Sequence, residues 1–266
     1  MTATEALITA ARKYCKDHHH YWVTRYNNER TGKDFPEYIY TDEDYNLFPR
    51  YNALSAILGE VEMLTGKTGP DLEQCRETLI HIGATASSPF TVGENDIEHA
   101  AIRDEREKFI HFVKNVTAAE LALVEPLPYR RRLDATEQAS VRQQLLERWN
   151  YDGDYWDPLD YKCPTEYVYL AKTNITPDDY QAIIRFIHTN AAPHLLEITE
   201  DGTDAEIDLS LFHPDCYETI YCDRSYEWVI YGSYEGTVTF AGEQLLGFVK
   251  QHFAGREQLF NQWPRG

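Results

Sequence analysis

Basic residues are in short supply in this chain. Its 266 residues include 25 Lys and Arg against 44 Asp and Glu, for a net charge of −19. Nucleic acid and anionic membrane are bound largely through Lys and Arg that neutralise phosphate, so neither is an expected partner. Cysteine is also sparse: Cys15, Cys75, Cys163, Cys216 and Cys222 are odd in number and scattered. That pattern argues against a disulfide framework and for reduced thiols. No stretch approaches the roughly twenty apolar residues of a membrane helix. Met1-Thr2-Ala3-Thr4-Glu5 has neither the basic segment nor the apolar core of a secretion signal. The expectation is a soluble, cytoplasmic protein.

Catalytic signatures are missing too. There is no Gly-x-Ser-x-Gly elbow, no Walker loop, no Gly-x-Gly-x-x-Gly and no His-Glu-x-x-His. Ser233 sits in a turn, where Ser ordinarily caps backbone. His18-His19-His20 fans around a helix at 100° per residue and cannot converge on one ion. His213-Pro214-Asp215-Cys216 with Cys222 lacks zinc-site spacing, and Asp152-Gly153-Asp154 lacks the later Gly and Glu of a calcium loop. No cofactor or metal is expected.

What is present is apolar surface, tyrosine and negative charge. Hydrophobic residues make up 42% of the chain, enough for an ordered core, and 19 Tyr dominate its aromatic content. The first half reads as helices. Thr4 is the expected first cap, with Leu7, Ala11, Tyr14, His18 and Trp22 following at helical spacing. Thr41 caps a second segment that Pro49 should interrupt, and Leu54, Ile57, Leu58, Val61 and Leu64 carry the stripe to Gly66. Pro70 is the expected start of the next helix. Asn95 with Glu98, and Thr117 with Glu120, open two more.

The pattern changes near residue 126. Leu127 to Leu133 reads as an edge strand, and the Arg130-Arg131-Arg132 cluster should neutralise acidic neighbours. Ala135 to Trp149 is helical, as is the segment after Thr176-Pro177. Strands are expected at Glu166–Lys172, His194–Thr199, Ala205–Leu211, Tyr217–Tyr221, Glu227–Gly232 and Thr237–Phe240, with a turn at Asp201-Gly202. Glu243 to Phe253 closes as a helix. The fold class is α+β: a helical domain over 1–125, then an α+β domain over 126–266 with a mostly antiparallel sheet and flanking helices.

Between Tyr151 and Glu235 there are eighteen Asp or Glu against four Lys or Arg. Two acidic patches stand out. One is the loop where Asp152, Asp154, Asp157 and Asp160 alternate with Tyr151, Tyr155, Trp156 and Tyr161. The other is Glu200, Asp201, Asp204, Glu206 and Asp208 around the hairpin. Aromatic anchors beside carboxylates suit recognition of a Lys- or Arg-rich surface.

Leu127-Pro128-Tyr129-Arg130-Arg131, Glu147-Arg148-Trp149 with Tyr155-Trp156-Asp157-Pro158-Leu159, and Trp228-Val229-Ile230-Tyr231 through Gly242 resemble a group of bacterial proteins without an assigned activity. The resemblance spans about residues 126 to 255. Those proteins are similar in size and acidity to cytoplasmic immunity proteins encoded beside polymorphic toxins. Relatives carry Ser-His-Glu where this chain has Ser233-Tyr234-Glu235, and no active site is carried over.

The leading expectation is a protein-binding module, an immunity-type inhibitor that occludes a basic toxin or effector. Its partner-binding residues would be Tyr155, Trp156, Asp157, Asp201, Asp204, Glu206 and Tyr234. The alternatives are a small-molecule hydrolase, which would need a pocket with perturbed titratable groups, and a subunit of a larger assembly, which would show an apolar patch on the N-terminal helices.

Overall fold

The computed structural model describes residues 1–33, 36–67, 71–214 and 216–264. The chain divides into two compact units, Met1–Leu127 and Pro128–Gly266.

Unit 1 is helical: α1 (Ala3–Glu29), α2 (Asp42–Glu62), α3 (Leu72–Thr85), α4 (Asp96–Asn115) and the single turn α5 (Ala118–Leu121). The cap of α1 is Thr2 rather than Thr4, because Glu5 lies three residues after Thr2 and the two close a reciprocal box. Pro49 lies inside α2 without ending it. Its fixed φ suits a helix, and burial of Leu47, Leu54, Ile57 and Val61 on the same helix outweighs the lost N–H. Arg50 Nε also donates to the Asn46 carbonyl at 2.8 Å, beside the interruption. The helix expected to start at Pro70 begins at Leu72 behind Asp71; Pro70 itself falls outside the described residues.

Leu7, Cys15, Ile57, Leu79, Phe109 and Val113 form the core of this unit. A Cβ on Gly83 would stand 2.7 Å from the Phe109 ring, so Gly lets α3 and α4 approach closely. Two arginines clasp the pair. Arg76 donates to the Val113 and Val116 carbonyls at the end of α4. Arg106 donates to those of Gly83, Ala84 and Ala86 at the end of α3. Each helix thus supplies a cation to its neighbour's unsatisfied C-terminal carbonyls.

Unit 2 is α+β. Its elements are β1 (Arg130–Arg132), α6 (Ala135–Trp149), β2 (Tyr167–Ala171), α7 (Pro177–Asn190), β3 (His194–Thr199), β4 (Ala205–Asp208), β5 (Thr219–Cys222), β6 (Val229–Gly232), β7 (Thr237–Ala241) and α8 (Glu243–His252). The seven strands form one sheet in the order β1-β4-β3-β5-β6-β7-β2, every pairing antiparallel. Side chains alternate across the sheet and both faces are covered. Leu170, Leu195, Ile207, Ile230, Val238 and Phe240 face α7 and α8. Leu196, Ile198, Ile220, Val229 and Tyr231 face α6 and the loop that follows it.

Local signals set the ends of the helices. Asp134 and Glu137 form a capping box at the start of α6, and Asn150 takes the left-handed conformation at its end. Thr176, Pro177 and Asp179 start α7 in the same way. Asp179 also joins α7 to the end of α8, accepting from Arg256 at 2.7 and 3.0 Å and bonding His252 at 2.7 Å.

Candidate functional site

Antiparallel pairing brings one end of the sheet together from five strand termini. Register pairs Thr199 with Thr219, and Thr219 with Gly232. One step beyond, Glu200 N donates to the Glu218 carbonyl at 3.1 Å, so these two residues are neighbours on adjacent strands. Past Gly232 the chain turns through Ser233, Tyr234, Glu235 and Gly236 into β7, with Gly236 at φ +76°. Lys172, at the end of β2, donates its N–H to the Gly236 carbonyl at 2.8 Å. Tyr217 and Tyr234 stand exposed here, at 60% and 70%.

The loop after α6 borders this end. Trp156 donates its indole N–H to the Trp149 carbonyl at 2.8 Å and stacks edge-on against Tyr231. The Asp157 carbonyl accepts from Thr239 Oγ1 at 2.7 Å. Asp154 and Tyr155, on the solvent side of this anchor, are exposed. Lys162 is the loop's own cation, bridging Asp152 and Asp160 at 3.0 Å each.

Charge is distributed unevenly. In the body of unit 2, four carboxylates are paired with arginines: Glu137 with Arg131, Glu206 with Arg131 and Arg224, Asp204 with Arg142, Glu197 with Arg130. Arg130 and Arg131 thus neutralise acidic neighbours. At the sheet end, Asp154, Glu200, Glu218 and Glu235 make no ion pair among the described residues. Glu200 shows the consequence. Burial, then the nearby Glu218 and Asp154 charges, push its carboxyl above the ordinary range, against the Tyr231 hydroxyl that donates to it at 2.8 Å. Lys172, the cation here, is engaged with the Cys216 carbonyl and lies 3.4 Å from the Tyr217 ring centroid.

The seven residues expected to bind a partner divide. Tyr155, Asp201 and Tyr234 are exposed. Trp156, Asp157 and Asp204 are fully buried and cannot form a contact surface, which corrects the expectation for them. Trp156 is a core residue because the loop docks on the sheet. Asp157 Oδ2 accepts from Cys163 N at 2.6 Å and holds the loop closed. Asp204 receives Arg142 through both oxygens at 2.8 Å and Thr199 N at 3.1 Å. Glu206 is half-buried and engaged by Arg224, Arg131 and Tyr129, so it too is structural. Asp201 organises its turn, accepting from Thr199 Oγ1 and from both Thr203 donors. Burial raises its pKa, and those bonds outweigh burial and lower it.

Tyr217, Glu218 and Glu235 join the surface from outside the expected set. Their signal was the alternation of strands, but it becomes readable only with the β3–β5–β6 register in hand.

The chemistry of nucleophiles is unfavourable. Ser233 is buried and its hydroxyl is bonded to Thr237 Oγ1 at 2.8 Å. All five thiols are held above their ordinary pKa, chiefly by burial, Cys216 up to about 12. A thiol so held is a poor nucleophile. Among the described residues no group of three His, Cys, Asp or Glu is placed to hold a metal ion, and no helix is long and apolar enough to cross a membrane. A surface groove of about 440 Å³, lined by Trp149, Thr165, Glu227, Gly242 and Leu246 among others, lies at the opposite end of the sheet, where β7 runs into α8.

Comparison with known proteins gave no match to a family model, a curated protein or a solved structure.

Proposed function

We propose that unit 2 binds a basic protein partner across the acidic, tyrosine-bearing end of its sheet, formed by Asp154, Tyr155, Glu200, Tyr217, Glu218, Tyr234 and Glu235. The observation that carries this reading is the contrast in pairing. Glu137, Glu197, Asp204 and Glu206 are matched to arginines, whereas Asp154, Glu200, Glu218 and Glu235, gathered at this end, are left without ion pairs among the described residues. Like charges held together on a rigid frame cost stability that a cationic partner would recover. Exposed tyrosines beside them offer contact area at low cost in side-chain entropy.

The specific form proposed is an immunity-type inhibitor that occludes a basic toxin or effector. The net charge of −19 supports it, because such a charge speeds encounter with a cationic target. The test is to purify the partner retained by the full chain and measure its association rate between about 50 and about 300 mM salt. A steep fall in on-rate with little change in off-rate is expected. Association that is independent of salt would overturn the reading.

A second reading, a subunit of a larger assembly, rests on unit 1. There Leu123 is 82% exposed beside Val116 and Val124, in a groove of about 530 Å³ that also includes Tyr14 and Phe112. Light scattering would support it if Leu123→Ser lowered the molecular mass in solution.

A further inference from the structure

The two edges of the sheet are protected in different ways. β1 lies at one edge and β2 at the other. β1 is three residues long, all of them arginine, and it follows Pro128 closely. Shortness, charge and a nearby proline each discourage another strand from adding to an edge. β2 is Tyr167-Val168-Tyr169-Leu170-Ala171, with neither charge nor proline. Its register with β7 fixes which backbone groups face outward. Lys172 N donates to the Gly236 carbonyl, so Leu170 and Val168, in step with it, turn their N–H and C=O toward β7. Those of Tyr167 and Tyr169 point away from the sheet.

The segment after α8 covers that edge. Leu259 and Phe260 pack on the core, with Phe260 edge-on against Phe253. Asn261 then meets Tyr169 through three bonds. Asn261 N donates to the Tyr169 carbonyl at 2.9 Å, Tyr169 N donates to Asn261 Oδ1 at 3.1 Å, and the Tyr169 hydroxyl donates to the Asn261 carbonyl at 2.9 Å. The first two are the bonds a neighbouring strand would make, with a side-chain oxygen standing in for one carbonyl. Asn261 is left-handed, at φ +56°, so the chain cannot run on there as a strand. Trp263 lies against the Tyr169 ring, centroids 5.7 Å apart, and is itself half-exposed.

We propose that residues 261–264 are a strap that shuts the β2 edge, and that β2, once unstrapped, pairs antiparallel with β2 of a second copy of this chain. The edge is self-complementary. With Tyr169 as the centre, Tyr169 faces Tyr169 and Tyr167 faces Ala171, and the outward N–H and C=O groups of each copy meet their counterparts. No side chain of β2 sets like charge against like in that pairing, whereas β1 would oppose arginine to arginine.

Asn261→Pro in the full chain opens the strap. Proline lacks the N–H, and its φ near about −65° is incompatible with the left-handed region. Phe260, at φ −68° and ψ 139°, already has the conformation that a following proline requires, so it stays seated. Sedimentation velocity and amide exchange read the result at about 1 and about 100 μM. At the lower concentration the Tyr169 amide should lose the protection it has in wild type. At the higher one the variant's mass should approach twice that of wild type, and protection should return. Asn261→Gly, which keeps the left-handed backbone and drops the Oδ1 bond, should give the same change in smaller measure. Asn261→Asp, which keeps the acceptor, should match wild type. Adding Tyr169→Lys to Asn261→Pro should restore the wild-type mass, since each lysine would then face its own copy across the new pair. Each chain carries −19, so salt should strengthen this association, the reverse of its effect on a basic partner. A Tyr169 amide that stays protected in dilute Asn261→Pro would overturn the strap. An unprotected amide with wild-type mass at the higher concentration would overturn the second copy as occupant, and so would a doubled mass that survives Tyr169→Lys.

Discussion

Replacing Arg142 by Met should cost unit 2 about 3 kcal/mol of stability. Asp204 is fully buried, and its carboxylate receives Arg142 Nε and Nη2 at 2.8 Å each and Thr199 N at 3.1 Å. Arg142 also donates to the Thr199 carbonyl at 2.7 Å, so one side chain ties α6 to both strands of the hairpin. Removing one partner of a buried ion pair leaves an uncompensated charge, at a cost of about 3–5 kcal/mol. The Arg142 side chain is 26% exposed, so water can partly replace it and the lower end of that range applies. For a unit of this size about 3 kcal/mol corresponds to roughly 10 °C in Tm. Urea unfolding followed by the fluorescence of buried Trp149 and Trp156 reads the change. Asp204→Asn alone should be comparably harmful, and adding it to Arg142→Met should cost much less, giving a coupling energy of about 2 kcal/mol. The reasoning is refuted if Arg142→Met lies within about 0.5 kcal/mol of wild type, the range of ordinary surface substitutions. It is also refuted if Asp204→Asn abolishes partner binding without loss of stability, since Asp204 would then be a contact residue after all.

Asp179 is held well below the usual carboxylate range, chiefly by the Arg256 guanidinium and against the effect of burial, with help from Thr176 and His252. A depressed folded-state pKa contributes stability that is present above the unfolded value near 4 and lost as pH falls toward the folded one. Below about pH 4, wild type should therefore lose its advantage over Asp179→Asn in urea midpoint; a gap that persists unchanged would contradict this. Glu200 has the opposite sign. Its folded-state pKa is raised, so its ionised form is penalised in the fold above the unfolded value. Glu200→Gln should raise the urea midpoint at pH 7 and make no difference below about pH 4. Arg106→Ala removes the donor to three carbonyls at the end of α3 and should destabilise unit 1 by about 1–3 kcal/mol. Hydrogen exchange should show the last turn of α3 opening first, and unchanged protection there would count against the clasp.

Much of the α+β fold was legible because its signals are local. Asp134 with Glu137 and Thr176 with Pro177 mark helix starts within four residues, and α6 spans the expected Ala135 to Trp149. Pro49 misleads for the converse reason: its local cost is real, but the burial of α2 on its neighbours decides the outcome. The site was legible only in part. Acidity and tyrosine pointed to the region on which the proposal rests, yet composition cannot say which carboxylate is spent. Asp204 is neutralised by Arg142, 62 residues away in sequence, and Trp156 is buried by a sheet formed from strands that follow it. Glu218 becomes a neighbour of Glu200 only through the pairing of β3 with β5. Exposed and paired carboxylates look alike in sequence, and long-range register separates them.

The central claim is that unpaired carboxylates at the sheet end select a basic partner. The most direct test compares two variants of equal charge in a capture from native lysate. One carries Asp154→Asn, Glu200→Gln, Glu218→Gln and Glu235→Gln. The other carries Asp17→Asn, Glu77→Gln, Glu107→Gln and Glu125→Gln, all exposed positions in unit 1. The account expects wild type and the unit 1 variant to retain the same basic protein in stoichiometric amount, and the sheet-end variant to lose it. Equal retention by both variants, or a stoichiometric partner without a basic surface, would contradict it.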